Sequence, residues 1–277
     1  MIFRSEILTS RQNATVKWLA SLKEKKYRDL HRCFVAEGEK LAIEAATSNL
    51  EITHLVIAES RYEKIEKHLF SHLSSEKYDK TEVIKVTDEV FEKISSEKAP
   101  QGVISIIKYL DFFKELDIIY KEDFFLKRDE KAVALYSLRD PGNLGAIIRS
   151  AVAFGIEHLV LSADTTDVYN TKVARSAMGG LFKVKITVVK DFASFVDSAI
   201  ANGRSVYAAE LTESASSLLN VKLAPTDIFI IGNEGHGIDR DISVRCSGSV
   251  YIPISNKTES LNASIAASVL MWEQART

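Results

Sequence analysis

The 277-residue sequence has no apolar run near the roughly 18 residues that a membrane-spanning helix requires. Its first residues, Met1–Ile7, lack the apolar core and small-residue cleavage site of a signal peptide, so none is expected. The two cysteines, Cys33 and Cys246, are far apart and lack metal-ligand spacing, which predicts reduced structural thiols and no metal site. Reduced thiols are typical of a cytoplasmic protein. With 46% hydrophobic and 27% charged residues, the composition indicates a soluble globular protein.

Two common nucleotide-binding signatures are also missing. The sequence has neither a G-x-G-x-x-G dinucleotide fingerprint nor the Gly-Lys-Ser/Thr of a P-loop. It shows no internal repeat and no low-complexity tract. The formal net charge of −2 excludes a protein coated in positive charge but not a local basic face. Residues 1–40 contain nine Lys or Arg and five Asp or Glu, which fits either a solvated helix face or a nucleic-acid contact.

Residues 1–110 predict a compact β/α domain of ordinary size. Apolar spacing predicts helices over 13–25, from 38 to 46, over 62–73 and over 88–94, with Ser10 or Asn13 as the first cap. Apolar, β-branched runs predict strands over 52–58, 83–86 and 103–109. Residues 111–130 carry four basic and seven acidic residues and are interpreted as a connection between domains.

Residues 131–277 predict a second α/β domain. Strands are predicted over 132–138, 158–161, 184–188, 206–209, 227–231 and 249–252. Helices are predicted over 145–154, 171–178, 192–201 and 261–274, with Gly155 ending the first of them. Alternating strands and helices predict a mostly parallel sheet covered on both faces.

Three segments of this second domain share one design, in which a short apolar run ends in a Gly- or Asn-rich turn. They are Asp140–Arg149 (Asp-Pro-Gly-Asn-Leu-Gly-Ala-Ile-Ile-Arg), Ile231–Gly237 (Ile-Gly-Asn-Glu-Gly-His-Gly) and Ile252–Ser264. Turns of this kind at strand ends are what an α/β domain needs to hold an adenine, a ribose and a charged group in one crevice.

The first turn bends at Pro141-Gly142 and places Asn143 at or next to a helix N-cap. Arg149 follows on an otherwise apolar helix. A surface arginine at the edge of the apolar stripe would explain it, and so would a phosphate or substrate contact. In the second turn, Glu234 either stabilises the turn or pairs with a cation such as Arg149, whereas His236 is interpreted as a plain loop residue.

The third turn, Ser260-Leu-Asn262-Ala-Ser264, has hydroxyl and amide groups that open the last helix, as in an N-cap box. This helix has little charge before Glu273, so it is expected to be buried. A self-association surface is one place where that burial would occur.

Taken together and in this order, the three segments resemble the SPOUT superfamily of RNA methyltransferases, specifically its TrmH-like ribose 2′-O-methyltransferases, whose motifs 1 to 3 they match. The resemblance covers about residues 131–277. It extends more weakly to the front, where Ser10–Asn13, Phe34–Gly38 and Ala99–Val103 resemble the substrate-binding domain that precedes many of these enzymes.

The resemblance implies an α/β fold with a C-terminal, trefoil-knotted, mostly parallel sheet, preceded by a smaller L30e-like RNA-binding domain. The implied boundaries are 1–110 for the front domain, 111–130 for a linker and 131–277 for the methyltransferase domain. The implied cofactor is S-adenosylmethionine, and the implied assembly is a homodimer through the knotted domain. By motif position, the cofactor would be held by Gly232, Asn233, Gly237, Ile252 and Leu261.

The implied reaction is methylation of a ribose 2′-hydroxyl in structured RNA, with ribosomal RNA favoured over transfer RNA. Arg149 would bind the adjacent phosphate and stabilise the developing alkoxide, because a guanidinium with a pKa above about 12 is a costly base. Asn143, Glu234, Ser260 and Asn262 would orient Arg149 and the ribose. The basic residues expected to contact RNA are Arg11, Lys17, Lys25, Lys26 and Arg28.

One departure from the family pattern concerns Asn256, which stands where the family usually has glycine. Asparagine tolerates a left-handed backbone better than other non-glycine residues, so the loop is expected to survive. Two alternatives to the ribosomal activity stay open at this point. One is a transfer-RNA 2′-O-methyltransferase, and the other is a non-catalytic RNA-binding protein that has kept the fold.

Overall fold

A computed structural model describes residues 1–48, 50–73, 76–116 and 124–276. The chain divides into two compact units. The first unit comprises Met1–Leu110 and Asp167–Phe182, and the second comprises Asp111–Thr166 and Lys183–Thr277. Part of the expected linker, residues 117–123, lies outside the described residues, and the three domain boundaries stay a prediction.

The helices and strands alternate along most of the chain. The helices are α1 (Ala14–Ser21), α2 (Lys25–His31), α3 (Glu39–Thr47), α4 (Tyr62–Leu69), α5 (Asp88–Ile94), α6 (Pro141–Ala153), α7 (Thr171–Ala177), α8 (Phe192–Ala201), α9 (Arg240–Ser243) and α10 (Ala263–Ala275). The strands are β1 (Ile2–Phe3), β2 (Cys33–Glu37), β3 (Ile52–Ala58), β4 (Glu82–Val86), β5 (Val103–Lys108), β6 (Phe113–Leu116), β7 (Ala132–Leu135), β8 (His158–Ser162), β9 (Lys185–Val189), β10 (Val206–Ala209), β11 (Ser216–Ser217), β12 (Ile228–Ile231) and β13 (Gly248–Tyr251).

The first unit is built on a mixed five-stranded sheet of order β1-β4-β3-β5-β2. Strands β1, β4 and β3 pair in parallel, whereas β5 runs antiparallel to both β3 and β2. Its apolar core joins one sheet face to helices α1 and α5, and includes Leu19, Val56 and Phe91. This unit therefore has an independent core, as a separate domain requires.

The segment Asp167–Phe182 packs within the first unit, although it follows β8 of the second unit in sequence. Helix α7 contacts β2, and the Tyr169 ring stacks on Tyr109 with ring centroids 4.1 Å apart. The Leu110 N–H also donates to the Tyr169 hydroxyl oxygen at 3.0 Å. Aromatic burial explains why this segment belongs to the first unit rather than to the expected 131–277 domain.

The second unit is built on an eight-stranded sheet of order β11-β13-β10-β12-β7-β8-β9-β6. Its pairings along the described chain are all parallel. The central strands are apolar on both faces, as in β7 and β12, where every residue is buried. This confirms the predicted parallel sheet covered on both sides.

Several elements differ from the sequence predictions at their ends or in their existence. The predicted helix 13–25 ends at Ser21. A separate helix, α2, begins at Lys25 and ends at His31, where Arg32 caps it in a left-handed conformation. The short elements β1, β6, β11 and α9 were not predicted, because two to four residues carry no strong periodicity. Strand β2 was not predicted either, although it is apolar and buried. No helix in the described chain is long and apolar enough to cross a membrane.

Candidate active site

The three Gly- and Asn-rich turns all follow strands of the second unit at their carboxyl ends. The first follows β7, the second follows β12 and the third follows β13. Because parallel strands end at the same edge of a sheet, the turns meet there. Strands β7 and β12 are direct neighbours, and β10 separates β12 from β13.

Glu234 joins the first two turns through its carboxylate. It accepts hydrogen bonds from the N–H groups of Arg139 and Asp140, each at 3.1 Å, and from the Asn143 amide at 2.9 Å. Glu234 is thus the turn-stabilising carboxylate that the sequence left as one of two alternatives. It forms no ion pair with Arg149, the other alternative, in the part of the chain that the structure describes.

The pKa of Glu234 is lower than usual despite its partial burial. Burial raises the pKa of this carboxyl, but the hydrogen bonds from Asn143 and from the N–H groups of Arg139, Asp140 and Glu234 itself lower it by more. The carboxylate is therefore ionised at neutral pH, with its lone pairs committed to positioning the first turn.

Asn143 extends this network to the third turn. Its amide oxygen accepts from the Asn262 amide nitrogen at 3.0 Å, and the Asn262 oxygen accepts from the N–H of Ser264 at 2.9 Å. Asn262 is the N-cap of α10, as the sequence indicated. Asn143, however, is not the cap of α6, because Asp140 occupies that position and accepts from the Asn143 N–H at 2.8 Å. The side chain of Asn143 is free to link motifs for this reason.

Arg149 and Ser260 do not join this network. Arg149 is exposed on α6 and makes no hydrogen bond or ion pair with any described residue. It lies six residues beyond Asn143, which corresponds to about 9 Å along a helix and a different face. The exposed Ser260 lines the adjacent cavity. The structure therefore brings together Asn143, Glu234 and Asn262, and leaves the guanidinium of Arg149 open to solvent.

Gly232 begins a tight hairpin that Asn233 and Gly237 close. The N–H of Asn233 donates to the Gly237 oxygen at 2.8 Å, and the Gly237 N–H donates back at 3.0 Å. A Cβ at Gly232 would lie 2.5 Å from the Gly237 carbonyl carbon, so glycine is required here by the backbone of the chain itself. The Asn233 amide also donates to the Ser137 oxygen at 2.8 Å, which ties the hairpin to the first turn.

A cavity of about 940 Å³ opens beside this network, at the ends of β10, β12 and β13. It is lined by the five residues expected to hold a cofactor, namely Gly232, Asn233, Gly237, Ile252 and Leu261, and by Glu234, Ser260 and Asn262. Its volume lies in the range of small-molecule sites. Asn256 also lines it, but its backbone is not left-handed, so the tolerance of asparagine for that conformation is not the reason that the loop forms.

The sequence did not single out a polar group behind the first turn. Ser137 is buried in a left-handed conformation with φ of 56°. Its hydroxyl donates to Asp164 at 2.6 Å, and Asp164 also pairs with Arg139 at 2.7 Å. Burial raises the pKa of Asp164, but the hydroxyls of Ser137 and Ser162 and the Arg139 charge lower it by more. A strained residue at a site is a structural signal that single-sequence patterns do not carry.

The basic residues expected to contact RNA lie in the first unit, and four of the five are exposed. Lys17 and Lys25 have no partner among the described residues, Lys26 lies 5.7 Å from the Tyr27 ring centroid, and Arg11 donates to the Glu89 oxygen. Arg28 differs from the expectation. It is 2% exposed, donates to the oxygens of Leu22 and Lys23, and pairs with Asp167, so it stabilises the fold rather than forming a surface.

The fold and the cavity define an α/β protein with a small-molecule cavity at the carboxyl edge of a parallel sheet, beside a polar network. Residues 130–272, more than half of the chain, match the model of the SpoU rRNA Methylase family. Residues 13–105 match the MRM3-like substrate binding domain. The chain belongs to the SpoU rRNA Methylase family.

Named relatives resemble the chain over nearly its whole length. The 23S rRNA (guanosine(2553)-2'-O)-methyltransferase RlmP of Bacillus subtilis is 27% identical, covering 96% of this chain and 97% of its own. A solved rRNA methyltransferase of Sinorhizobium meliloti with AdoMet bound is 28% identical, has a TM-score of 0.79 and covers 98% of this chain and 97% of its own. A solved RNA 2'-O ribose methyltransferase is 25% identical with a TM-score of 0.80, covering 98% of both chains.

Proposed function

We propose that this protein methylates a ribose 2′-hydroxyl of structured RNA with S-adenosylmethionine, and that its substrate is ribosomal RNA. The observation that carries this proposal is the cavity at the carboxyl edge of the parallel sheet, bordered by the Asn143–Glu234–Asn262 network. The names of the relatives support the substrate class, since the matched Bacillus subtilis protein is a 23S rRNA 2′-O-methyltransferase.

The cavity fits an adenosyl cofactor in size and in chemistry. Apolar side chains such as Ile231 and Leu261 suit an adenine ring, and the backbone around Gly232 and Ile252 supplies polar groups close to it. When bound, S-adenosylmethionine supplies a methyl group on a positively charged sulfur that an oxygen nucleophile can attack. The residues of the chain then have to align that oxygen with the methyl group. Alignment of this kind lowers the activation barrier by several kcal/mol.

Arg149 is the candidate for contacting the RNA at the reacting nucleotide. Its guanidinium is exposed and not committed to any described partner, so its five N–H donors are available to a phosphate. A guanidinium remains protonated at neutral pH, so in this proposal it stabilises negative charge on the ribose oxygen instead of removing the proton. The hydroxyl proton would pass to water, because Arg149 is exposed to solvent.

Glu234, Asn143 and Asn262 would act by position. The Glu234 carboxylate holds the start of α6 in place through Asn143 and two backbone N–H groups, with a lowered pKa that makes it a poor proton acceptor. Asn143 and Asn262 fix the N-terminal ends of α6 and α10 relative to each other. With Ser260 on the cavity wall, these groups would orient the ribose beside the cofactor.

We infer that two copies of the chain complete the site through the knotted domain. Trp272 is 56% exposed and Ile265 is 53% exposed on α10, although this helix is otherwise apolar and packs on α6. The Trp272 ring lies edge-on to Phe154, which directly follows α6 and is five residues beyond Arg149. An interface over these helices would cover the apolar side chains and bring Arg149 close to the two-fold axis.

The first unit would hold the RNA through its basic surface. Arg11, Lys17, Lys25 and Lys26 are exposed on or beside helices α1 and α2, and a match to a substrate-binding family covers the three lysines. Phosphate contacts of this kind recognise the shape of folded RNA rather than its bases. In this proposal the protein acts in the cytoplasm.

The proposal is tested by methyl transfer from radiolabelled S-adenosylmethionine to ribosomal RNA that has never been modified. The wild-type protein should label a ribose, whereas Arg149→Lys should lose about 100-fold or more in turnover, because lysine cannot form the two-pronged contact. Binding of S-adenosylhomocysteine should remain unchanged in that variant. If only transfer RNA were labelled, the substrate would be transfer RNA instead of ribosomal RNA. If the protein bound the cofactor but labelled no RNA, the non-catalytic alternative would be favoured.

A further inference from the structure

Glu210 is a carboxylate in the cavity that none of the three motifs contains. It directly follows β10, and its N–H donates to the Val250 oxygen of β13 at 3.0 Å. Because β10 lies between β13 and β12, Glu210 sits on the central part of the cavity wall.

Two serine hydroxyls hold the side chain of Glu210. Both donate to the same oxygen, Oε1, from Ser249 at 2.6 Å and from Ser243. These contacts fix the position of Oε1. The other oxygen, Oε2, accepts no hydrogen bond from any residue that the structure describes, and no described Lys, Arg or His pairs with Glu210.

A half-buried carboxylate with one oxygen fixed and the other open is suited to a ligand with hydrogen-bond donors. A nucleoside offers such donors in its ribose hydroxyls. In other α/β folds, a carboxylate at the carboxyl end of a strand accepts a ribose hydroxyl in this way. The chemistry of Glu210 therefore matches the sugar of an adenosyl group.

The position of Glu210 favours the sugar over the reactive end of the cofactor. Strands in a sheet are about 4.8 Å apart, so β10 lies about 10 Å from β7, which leads into the Asn143 turn. The methyl group has to lie near that turn for the proposed reaction. Glu210 is then too far away to serve the sulfonium end, but lies within the length of the nucleoside.

We propose that Glu210 binds the ribose of S-adenosylmethionine through Oε2, with Ser243 and Ser249 as positioning residues. This inference rests on the proposed function, since it takes the same cofactor. Glu210 would thus favour a cofactor with an intact ribose. The backbone groups of the three turns alone would discriminate less strongly against a deoxyribose.

The test is calorimetric binding of S-adenosylhomocysteine and of its 2′-deoxy, 3′-deoxy and inosine analogues to the full-length protein. The wild type should bind one of the two deoxy analogues about tenfold or more weakly, as expected for a lost hydrogen bond to a charged group. Glu210→Gln keeps an acceptor for both serines but turns a donor toward the ligand. This variant should bind S-adenosylhomocysteine more weakly and discriminate against the deoxy analogue several-fold less.

A matched control is Glu213→Gln, which removes the same charge from an exposed position in the following loop, outside the cavity. It should keep the wild-type preference for an intact ribose. Equal discrimination by the wild type and by Glu210→Gln would overturn the inference while leaving the proposed function intact. A selective loss against the inosine analogue in the wild type, absent in Glu210→Gln, would also overturn it by assigning Glu210 to the adenine. If the wild type bound none of these ligands, the proposed function itself would fall, and the inference with it.

Discussion

The polar groups at the two ends of the parallel sheet in the second unit have opposite environments. At the amino ends of the strands lies a cluster of four charged or titratable side chains, namely Glu130, His158, Lys185 and Arg204. At the carboxyl ends lies the Asn143–Glu234–Asn262 network beside an open cavity. Both ends are rich in hydrogen bonds, so the density of polar contacts does not distinguish a site from a structural cluster.

The two ends differ in whether their polar groups are buried with partners or left open to a ligand. Glu130 is 2% exposed, and its carboxylate accepts from the Lys185 ammonium at 2.6 Å and from the N–H of Lys127 at 3.0 Å. Arg204, also buried, donates to the oxygens of Glu130 and Thr226, each at 2.9 Å. In this cluster the charged groups of Glu130, Lys185 and Arg204 all have partners inside the fold, whereas the carboxyl edge leaves one oxygen of Glu210 without a partner in the described chain. The amino end therefore stabilises the fold, and the carboxyl end serves a ligand.

The largest effect on stability is expected from Glu130→Gln. An amide has one oxygen, so it cannot accept from both Lys127 and Lys185, and its buried nitrogen would face a second donor. The free energy of unfolding should fall by about 3 kcal/mol, as for other broken buried pairs with some solvent access. Glu157→Gln is the matched control, since Glu157 is exposed and acts on the same Lys185. Chemical denaturation should show less than about 0.5 kcal/mol for this control, and equal losses in both variants would contradict the comparison.

A somewhat smaller loss of stability is expected when the pH is lowered, because His158 belongs to the same cluster. Burial lowers the pKa of His158 to about 4, against the opposing influence of Glu130 and with a small contribution from Lys185 and Lys114. The unfolded chain, with an ordinary histidine pKa near 6.5, therefore binds the proton more readily than the folded chain. Stability should fall by about 2 kcal/mol between pH 7 and pH 5.

The variant His158→Gln should flatten this dependence in denaturation curves recorded at several pH values. Part of the slope should persist, because burial also lowers the pKa of His54 in the first unit. An unchanged slope in His158→Gln would show that the imidazole at the amino end does not couple folding to protons.

The smallest effect on stability is expected at the open end, from Asn143→Asp. This substitution replaces the amide that donates to Glu234 by a second carboxylate. Because these groups have access to solvent, the free energy of unfolding should change by about 1 kcal/mol or less. Methyl transfer should nevertheless fall at least tenfold, since the turn is no longer aligned. A control is Asn220→Asp on the exposed surface, and a loss of stability above that of Glu130→Gln would break the comparison.

The sequence predicted the general architecture and the three turns. Parallel strands end at a common edge, so the turns were expected to meet. The family pattern pointed to a group of five residues, of which the structure joins three by hydrogen bonds and leaves Arg149 and Ser260 outside the network. It did not show that Asp140 caps α6 and releases the side chain of Asn143. A cap position is decided by backbone dihedrals, which the pattern of residues leaves open over a few positions.

Residues whose roles depend on distant partners were less accessible. Arg28 has the charge and the neighbours of an RNA-binding residue, but Asp167, 139 positions away, and two nearby carbonyl oxygens bury its guanidinium. Glu210 lies in no motif, and only the pairing of β10 with β13 brings it onto the cavity wall. Long-range contacts of this kind carry no local periodicity that a single sequence could reveal.

The hairpin at Gly232 bears on how related sequences should be interpreted. Glycine is required there because the Gly237 backbone passes within 2.5 Å of where a Cβ would stand, whether or not a ligand is bound. A relative that had lost its catalytic activity would therefore still keep this glycine in order to fold. The glycine is a marker of ancestry, and a survey that counted it as proof of enzymatic activity would include inactive descendants. Open, uncommitted side chains such as Arg149 are the better indicator, because folding alone does not preserve them.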